Sequence, residues 1–423
     1  MRHPNLAVFF GISLAVGLAT TASATDGYFA DGFGTQSKGM AGVGLAYPKD
    51  SLAIANNPAA ATVIGNRFDA DMDYFLPSRS ASITGNAFGA NQSYSGNDSP
   101  GFLIPELGYV RQINDKLALG LAIYGNGGMD TAYTYNPYAR FGAIGKAGID
   151  LQQLFLSPTV AYRVADGQNI GLSLNIVDQR FKAQGIGAFG GFSSNPTAVS
   201  NQGRDSSFGY GVRLGWLGSL TPWLSAGASW QSTTYSGEFS KYKGLFADHG
   251  GFDVPASYGL GIVVKPSSVL DIPLDIKRIL YSDVRSVGDN FQSLLSGRLL
   301  GSTGGPGFGW RDTTSVKIGV NYQFAPAWQV RAGYGYTTEP IPANQTFLNI
   351  LAPGTIQHQV TVGGSWQATK SVEISLFGLY ALPQTVRGSG SIPPGFPPGG
   401  FGGGEANIKL SELSYGVGFG WKF

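Results

Sequence analysis

The chain has 423 residues, a formal net charge of +2, no cysteine, and charged side chains at only 13% of positions. The near-neutral balance argues against a nucleic-acid binder, which shows a basic patch or stripe, and the lack of cysteine removes disulfides, thiolate metal sites and thiol catalysis. A mean hydropathy of +0.01 is far below that of a helical membrane protein, yet the charge content is well under the ~25% of soluble domains; strands that alternate apolar residues with Gly, Ser and Asn give this combination.

Residues 1–24 read as a secretory signal. Arg2 supplies the positive start, Leu6 to Ala19 is apolar, and Ala22-Ser23-Ala24 is a small-residue cleavage site. No later stretch offers the ~20 apolar residues of a membrane helix, so an exported chain of this kind either stays soluble or inserts as strands. Residues 25–65 do not alternate. They are rich in Gly32, Gly34, Gly39, Gly42 and Gly44, then Ala53, Ala55, Ala59, Ala60 and Ala61. Lying ahead of the first alternating strand, this segment starts on the periplasmic side and is expected to fold into a barrel mouth as a plug, or hatch.

Residues 66–423 read as the barrel. Strict alternation recurs, the signature of a strand with one apolar face. Ile170, Leu172, Leu174 and Ile176 alternate with Gly171, Ser173 and Asn175; Phe208, Tyr210, Val212, Leu214 and Trp216 alternate with Gly209, Gly211, Arg213 and Gly215. Leu270, Ile272, Leu274 and Ile276 alternate with Asp271, Pro273, Asp275 and Lys277, and Val316, Ile318, Val320, Tyr322 and Phe324 with Lys317, Gly319, Asn321 and Gln323. Tight turns at Asn114-Asp115, Asp166-Gly167, Leu220-Thr221-Pro222, Pro266-Ser267, Pro326-Ala327 and Thr369-Lys370 alternate with long polar or Gly-rich links, at 83–100, 129–148, 186–202, 241–251, 286–311, 338–354 and 383–408. Short turns on one side and long loops on the other are the outer-membrane pattern. The segmentation predicts an all-β fold, a transmembrane antiparallel β-barrel of about fourteen strands. Trp216, Trp223, Trp328, Trp366 and Trp421 fall near the tight-turn side, as an interfacial girdle requires. The chain stops on Phe423 after alternating Leu413, Tyr415, Val417, Phe419 and Trp421, a terminal strand of the kind read by the barrel assembly machinery.

Two blocks carry a family resemblance. The first is Gly39-Met40-Ala41-Gly42-Val43-Gly44-Leu45-Ala46, then Asp50, then Asn57-Pro58-Ala59. The second runs Trp310-Arg311-Asp312-Thr313, Ile318 to Tyr322, Trp328 to Tyr334 and Pro340-Ile341-Pro342. In this order, on a signal-bearing barrel, the chain resembles the FadL family of outer-membrane hydrophobe transporters, which includes toluene- and xylene-importing branches. The resemblance implies a monomeric fourteen-stranded barrel set in outer-membrane lipid and lipopolysaccharide, closed inside by the hatch. It implies uptake of long-chain fatty acids or similar hydrophobic small molecules, with lateral release through a gap at a kinked strand, or alternatively import of neutral aromatic hydrocarbons. It also places Asn57, Pro58 and Ala59 near the kinked third strand, which here carries Gly120 and the run Gly125-Asn126-Gly127-Gly128, where missing side chains permit a bend.

Arg213, Lys317 and Arg331 share inward parity on their strands, so each could pair with a substrate carboxylate. The competing reading is a lumen charge already partnered by Asp or Glu. Lys317 lies farther from the Pro326-Ala327 turn than Arg331 does, making a stepped pair of which Lys317 is expected to meet an incoming acid. Asp69, Asp71 and Asp73 read as a polar lumen face rather than a calcium site. The histidines, His3, His249 and His358, have no supporting serine context, so an outer-membrane hydrolase finds little support. A general aqueous porin is disfavoured by the Gly/Ala-rich segment before the first strand. No catalytic residue, metal or cofactor is assigned, and the Pro/Gly-rich loop 388–404 has no assigned role.

Overall fold

The computed structural model describes residues 25–396 and 400–423; the expected signal segment lies outside them. Fourteen long strands form one antiparallel sheet in strict chain order. They are β1 (Arg67–Thr84), β2 (Phe102–Gln112), β3 (Leu117–Tyr133), β4 (Ala147–Ala165), β5 (Gln168–Gln184), β6 (Asp205–Thr221) and β7 (Leu224–Gln231). They continue as β8 (Ser257–Ser267), β9 (Leu270–Ile279), β10 (Thr313–Ala325), β11 (Trp328–Thr337), β12 (His358–Gln367), β13 (Val372–Val386) and β14 (Glu405–Lys422). Two short pieces, Ser93–Ser95 and Tyr235–Ser236, add to β1 and β6 within the loops. β14 returns to β1 in unbroken register from Arg67 opposite Lys422 to Thr84 opposite Glu405, so the first and last strands close the sheet on itself.

The alternation fixes which face meets what. Leu172, Leu174, Leu214, Val316, Ile318, Val362 and Val417 are exposed, while Ser173, Asn175, Arg213, Ser315 and Lys317 between them are buried. A soluble sandwich would reverse this. A continuous belt of outward apolar side chains around a polar interior is the membrane arrangement. On the tight-turn side, Trp328 stacks on Trp366 at 5.7 Å, and Phe423 lies 5.8 Å from Tyr109 and 5.0 Å from Trp421, an aromatic girdle at one interface.

Strand ends differ from the sequence-based boundaries in two instructive places. β3 runs to Tyr133, past the expected loop start at Met129, because β4 supplies ladder partners up to Ala147. β8 continues through Pro266 and Ser267, leaving the turn at 268–269. A proline at the frayed end of a strand costs only one ladder hydrogen bond, so it does not stop the strand.

The interior is filled. Residues 25–64 form short helical turns that are almost wholly buried among the inward side chains of the wall. Above them, on the long-loop side, Tyr138, Phe189, Phe291, Phe347 and Phe401 pack ring against ring.

Candidate functional site

Carboxylates reaching inward from the wall hold the N-terminal segment. Asp69 accepts from the Ser51 N–H at 2.8 Å and its hydroxyl at 2.6 Å, Asp71 from the Thr35 N–H at 2.6 Å, and Glu106 from the Gly34 N–H at 2.9 Å. Asp275 accepts from the N–H groups of Gly44 and Leu45 at 2.8 and 3.0 Å. Lys38 bridges Asp73 and Glu106 at 2.5 and 2.9 Å, and Arg67 bridges Asp69 and Glu373, both at 2.8 Å. A segment without ladder bonds of its own thus satisfies its backbone through the barrel. Asp50, in the segment itself, is pushed up to about 7, first by burial and then by the Asp69 carboxylate, with Arg67 pulling the other way and Glu373 and Glu106 adding to the rise.

The Asn57 side chain caps the turn Pro58–Ala60 by accepting from the Ala59 N–H at 3.1 Å, and donates to the carbonyls of Leu45 and Trp216 at 2.7 and 2.8 Å. Pro58 and Asn57 press so closely on the wall that a Cβ at Gly171 would lie 2.3 Å from the Pro58 carbonyl carbon, and one at Gly215 2.0 Å from Asn57 Oδ1. The motif therefore docks on β5 and β6, not against the third strand as the resemblance implied. The reason is a division of labour along the segment. Ile54 approaches Gly120, where a Cβ would stand 2.8 Å from its Cδ1, and a still earlier stretch reaches the bend.

That bend is a β-bulge. The β3–β4 register slips between Gly125 and Gly127, leaving Asn126 extra. β3 pairs with β2 only from Ala118 to Ile123, opposite Gln112 to Leu107, so Phe102–Glu106 of β2 and the upper half of β3 are not hydrogen-bonded to each other. The ladder is interrupted there, and farther along Ala132 of β3 is bonded instead to Gly96 and Asp98. At the gap, Tyr28–Ala30 takes the place of the missing strand: Ala30 N–H donates to the Asn126 carbonyl at 2.7 Å, and Gly128 N–H to the Tyr28 carbonyl at 2.9 Å. Gly127 cannot carry a side chain here, because a Cβ would lie 1.9 Å from the Tyr28 oxygen.

Two pockets flank this stretch. One lies between the segment and β6–β10 and holds Arg213, Lys277, Lys317, Asp31 and Asp275. The other lies between Phe102 and Met129. Each is narrow, with a cavity volume of about 40 Å³. Asp31 and Phe33 line the first and Tyr28 the second, and Lys277 Nζ lies 5.4 Å from the Phe29 ring.

The three nominated cations are all buried but differ in their partners. Lys317 already carries two carboxylates, Asp26 at 2.8 Å and Asp31 at 2.6 Å. It is a lumen charge tied to the N-terminal segment, and in this arrangement it has no position left for an incoming acid. Arg331 is held by neutral groups, donating to Ser365 at 2.7 Å, Gln36 at 2.7 Å and Gln329 at 3.1 Å. Register puts Lys317 opposite Gly335 and Arg331 opposite Asn321, so the two are stepped and do not share a pocket. Arg213 donates to Gln231, lies 6.0 Å from the Tyr124 ring, and keeps Nη1 without a hydrogen-bond partner. Among the described residues neither Arg213 nor Lys277 has a carboxylate within 4.0 Å. Lys277 was not nominated from sequence, although it has the same inward parity that singled out Arg213.

A closed antiparallel barrel of this size finds its counterpart among known proteins. The sequence matches the family described as outer membrane protein transport protein (OMPP1/FadL/TodX) over residues 16–380. The chain belongs to this family. It is accordingly an outer-membrane barrel. The long-chain fatty acid transport protein of Escherichia coli O6:H1 is 25% identical over 430 residues, spanning 92% of this chain and 94% of that protein. Outer membrane protein P1 of Haemophilus influenzae is 37% identical over 81 residues, 19% of this chain and 17% of that one. Among solved structures, the Pseudomonas putida toluene transporter TodX superposes with a TM-score of 0.70 at 19% identity, over 93% of this chain and 99% of TodX. A Pseudomonas aeruginosa FadL homologue gives 0.70 at 16% identity, over 94% and 100%. At these identities the solved structures speak to the fold of this FadL-family barrel.

Proposed function

We propose that this FadL-family barrel takes up long-chain fatty acids or related hydrophobic molecules, passes them over the N-terminal hatch, and releases them sideways into the membrane between β2 and β3. The observation that carries this reading is the hatch strand Tyr28–Ala30, bonded to β3 where β2 leaves it unpaired, with a pocket on either side. An apolar tail gains nothing from a water-filled pore, since each buried CH₂ is worth ~0.8 kcal/mol. Lateral exit lets the tail go from protein to lipid without crossing water. The activity is transport rather than catalysis. The unit is a monomer, closed by the pairing of its first and last strands, set among lipid and lipopolysaccharide after delivery by the assembly machinery that reads its terminal strand. Asn57, Pro58 and Ala59 anchor the hatch to β5 and β6; Gly120 and Gly125 admit it to the wall and bend β3.

Arg213 and Lys277 are the cations we assign to a substrate carboxylate, with Phe29, Phe33 and Tyr124 beside them for the start of the tail. Each charge-assisted contact is worth ~1.5–3 kcal/mol. The double variant Arg213→Gln/Lys277→Gln should therefore bind laurate about tenfold or more weakly, with toluene affinity unchanged, in titrations of the detergent-solubilised barrel. If both ligands weaken alike, or neither does, the carboxylate role fails. The alternative reading, import of neutral aromatic hydrocarbons, would then gain, favoured by Phe75, Phe102 and Trp310 around the second pocket.

A further inference from the structure

The lipid-facing side of β4, β5 and β6 changes from apolar to charged at one height. Outward residues of the three strands lie opposite one another in rungs. From the girdle side these include Tyr162–Ile170–Trp216, Leu156–Ile176–Tyr210 and Leu154–Asp178–Phe208. The next rung is Gln152–Arg180–Ser206, and beyond it Asp150 stands opposite Lys182. Ten residues separate Ile170 from Arg180. At ~3.4 Å per residue and a tilt of ~40°, this is ~26 Å of height, which matches the ~25 Å apolar band of an outer-membrane barrel. The charged rungs therefore sit at the outer interface, on the side of the long loops.

Four cations gather there. Arg180 pairs with Asp178 through Nε, at 3.0 Å, and its two terminal nitrogens have no partner among the described residues. Arg204, just ahead of β6, reaches across β5 to Asp150 through one terminal nitrogen. Asp150 is the register partner of Lys182, so the guanidinium lies beside that lysine. Among the described residues Lys182 has no carboxylate within 4.0 Å. Lys241 Nζ donates to the Arg204 carbonyl at 2.7 Å. Only Asp150, Asp178 and Asp205 stand among these four cations, so positive charge is in excess. Like charges on neighbouring strands repel, and an anion seated between them removes that cost. Directly below, Phe208 and Tyr210 are 61% and 60% exposed.

We propose that this face of β4–β6 is a docking site for a phosphorylated glycolipid of the outer leaflet, the lipid A part of lipopolysaccharide. Arg180, Lys182 and Arg204 take a phosphate, and the acyl chains lie along Leu154, Leu156, Phe208 and Tyr210. Such a lipid carries its phosphates where head group meets acyl chains, the height at which these rungs turn from apolar to cationic. Guanidinium and ammonium groups make charge-assisted hydrogen bonds to phosphate oxygens, and the open guanidinium forks suit them. The site lies outside the lumen and does not depend on what the barrel transports.

The test is native mass spectrometry of the detergent-solubilised barrel titrated with diphosphoryl lipid A, beside the same lipid stripped of its phosphates. Wild type should bind the phosphorylated form about tenfold or more tightly. Arg180→Gln/Lys182→Gln/Arg204→Gln should lose that preference and leave affinity for the dephosphorylated lipid as it was. Lys116→Gln/Lys265→Gln/Lys370→Gln removes the same charge from exposed positions on the tight-turn side and should keep the preference. Heat-modifiable migration on gels reports that each variant is a folded barrel, and laurate affinity should match wild type in both, since neither set reaches the lumen. Extraction from outer membranes in mild detergent gives a second readout: lipopolysaccharide retained per barrel should fall several-fold in the first triple variant alone. Wild type without a phosphate preference, an equal loss in both triple variants, or a wild-type barrel that carries phosphatidylglycerol out of the membrane in place of the glycolipid overturns the proposal.

Discussion

Gly127→Val is expected to strip the hatch strand from β3 while leaving the barrel assembled. The side chain would occupy space now held by the Tyr28 carbonyl, only 1.9 Å from where Cβ must lie. That contact is with backbone, which cannot rotate away as a side chain could. The hydrogen bonds from Ala30 to Asn126 and from Gly128 to Tyr28 should be lost together. β3 itself keeps its ladder to β4, so the wall survives. Amide exchange at Ala30 and Gly128 should rise by orders of magnitude, and the partition between the two pockets should fall. We expect proteoliposomes of the variant to admit a hydrophobic dye several times faster than wild type. Unchanged protection at these two amides would show that the segment is held by other contacts and does not gate the opening.

Lys317→Met is expected to destabilise hatch docking by about 3–5 kcal/mol, the usual penalty for removing one partner from a buried ion pair. Asp26 and Asp31 would remain buried, with Thr337 and Gln359 as their neutral donors. The hatch should become sensitive to added protease, and the companion changes Asp26→Asn and Asp31→Asn should restore resistance. Fatty acid and hydrocarbon uptake should change together, because the lysine serves the hatch and not the ligand. Selective loss of fatty acid binding, with the hatch still protected, would return Lys317 to the substrate-binding role that its inward parity suggests.

These two residues show what the sequence could and could not reveal. Alternation has a period of two, so parity alone sorts every strand residue into lipid-facing or lumen-facing. That rule correctly turned Arg213, Lys317 and Arg331 inward and Leu172 or Val316 outward. Parity says nothing about what an inward side chain meets. The partners of Lys317 lie 291 and 286 positions away, in a segment with no periodicity. The Gly125–Gly128 run announced a bend, and β3 is bulged there. The strand that fills the bend, Tyr28–Ala30, has no sequence signal, because its pairing depends on β2 stopping short. Asn57 was legible as a motif but not in position, since its docking on β5 and β6 is set by glycines at 171 and 215 that look like any others in a Gly-rich barrel. Lys277 was within reach of the same parity argument as Arg213.

The most direct test of lateral release is to close the opening covalently. Phe102 on β2 and Met129 on β3 both line the pocket at the gap, and the chain has no cysteine of its own. Phe102→Cys/Met129→Cys can therefore be bridged by a short bis-thiol-reactive linker without side labelling. Uptake of radiolabelled oleate by cells should be lost once the two thiols are bridged, and kept when each is capped separately by a monofunctional reagent of similar size. Full uptake through a bridged barrel would contradict the account, for the ligand would then be leaving by another route.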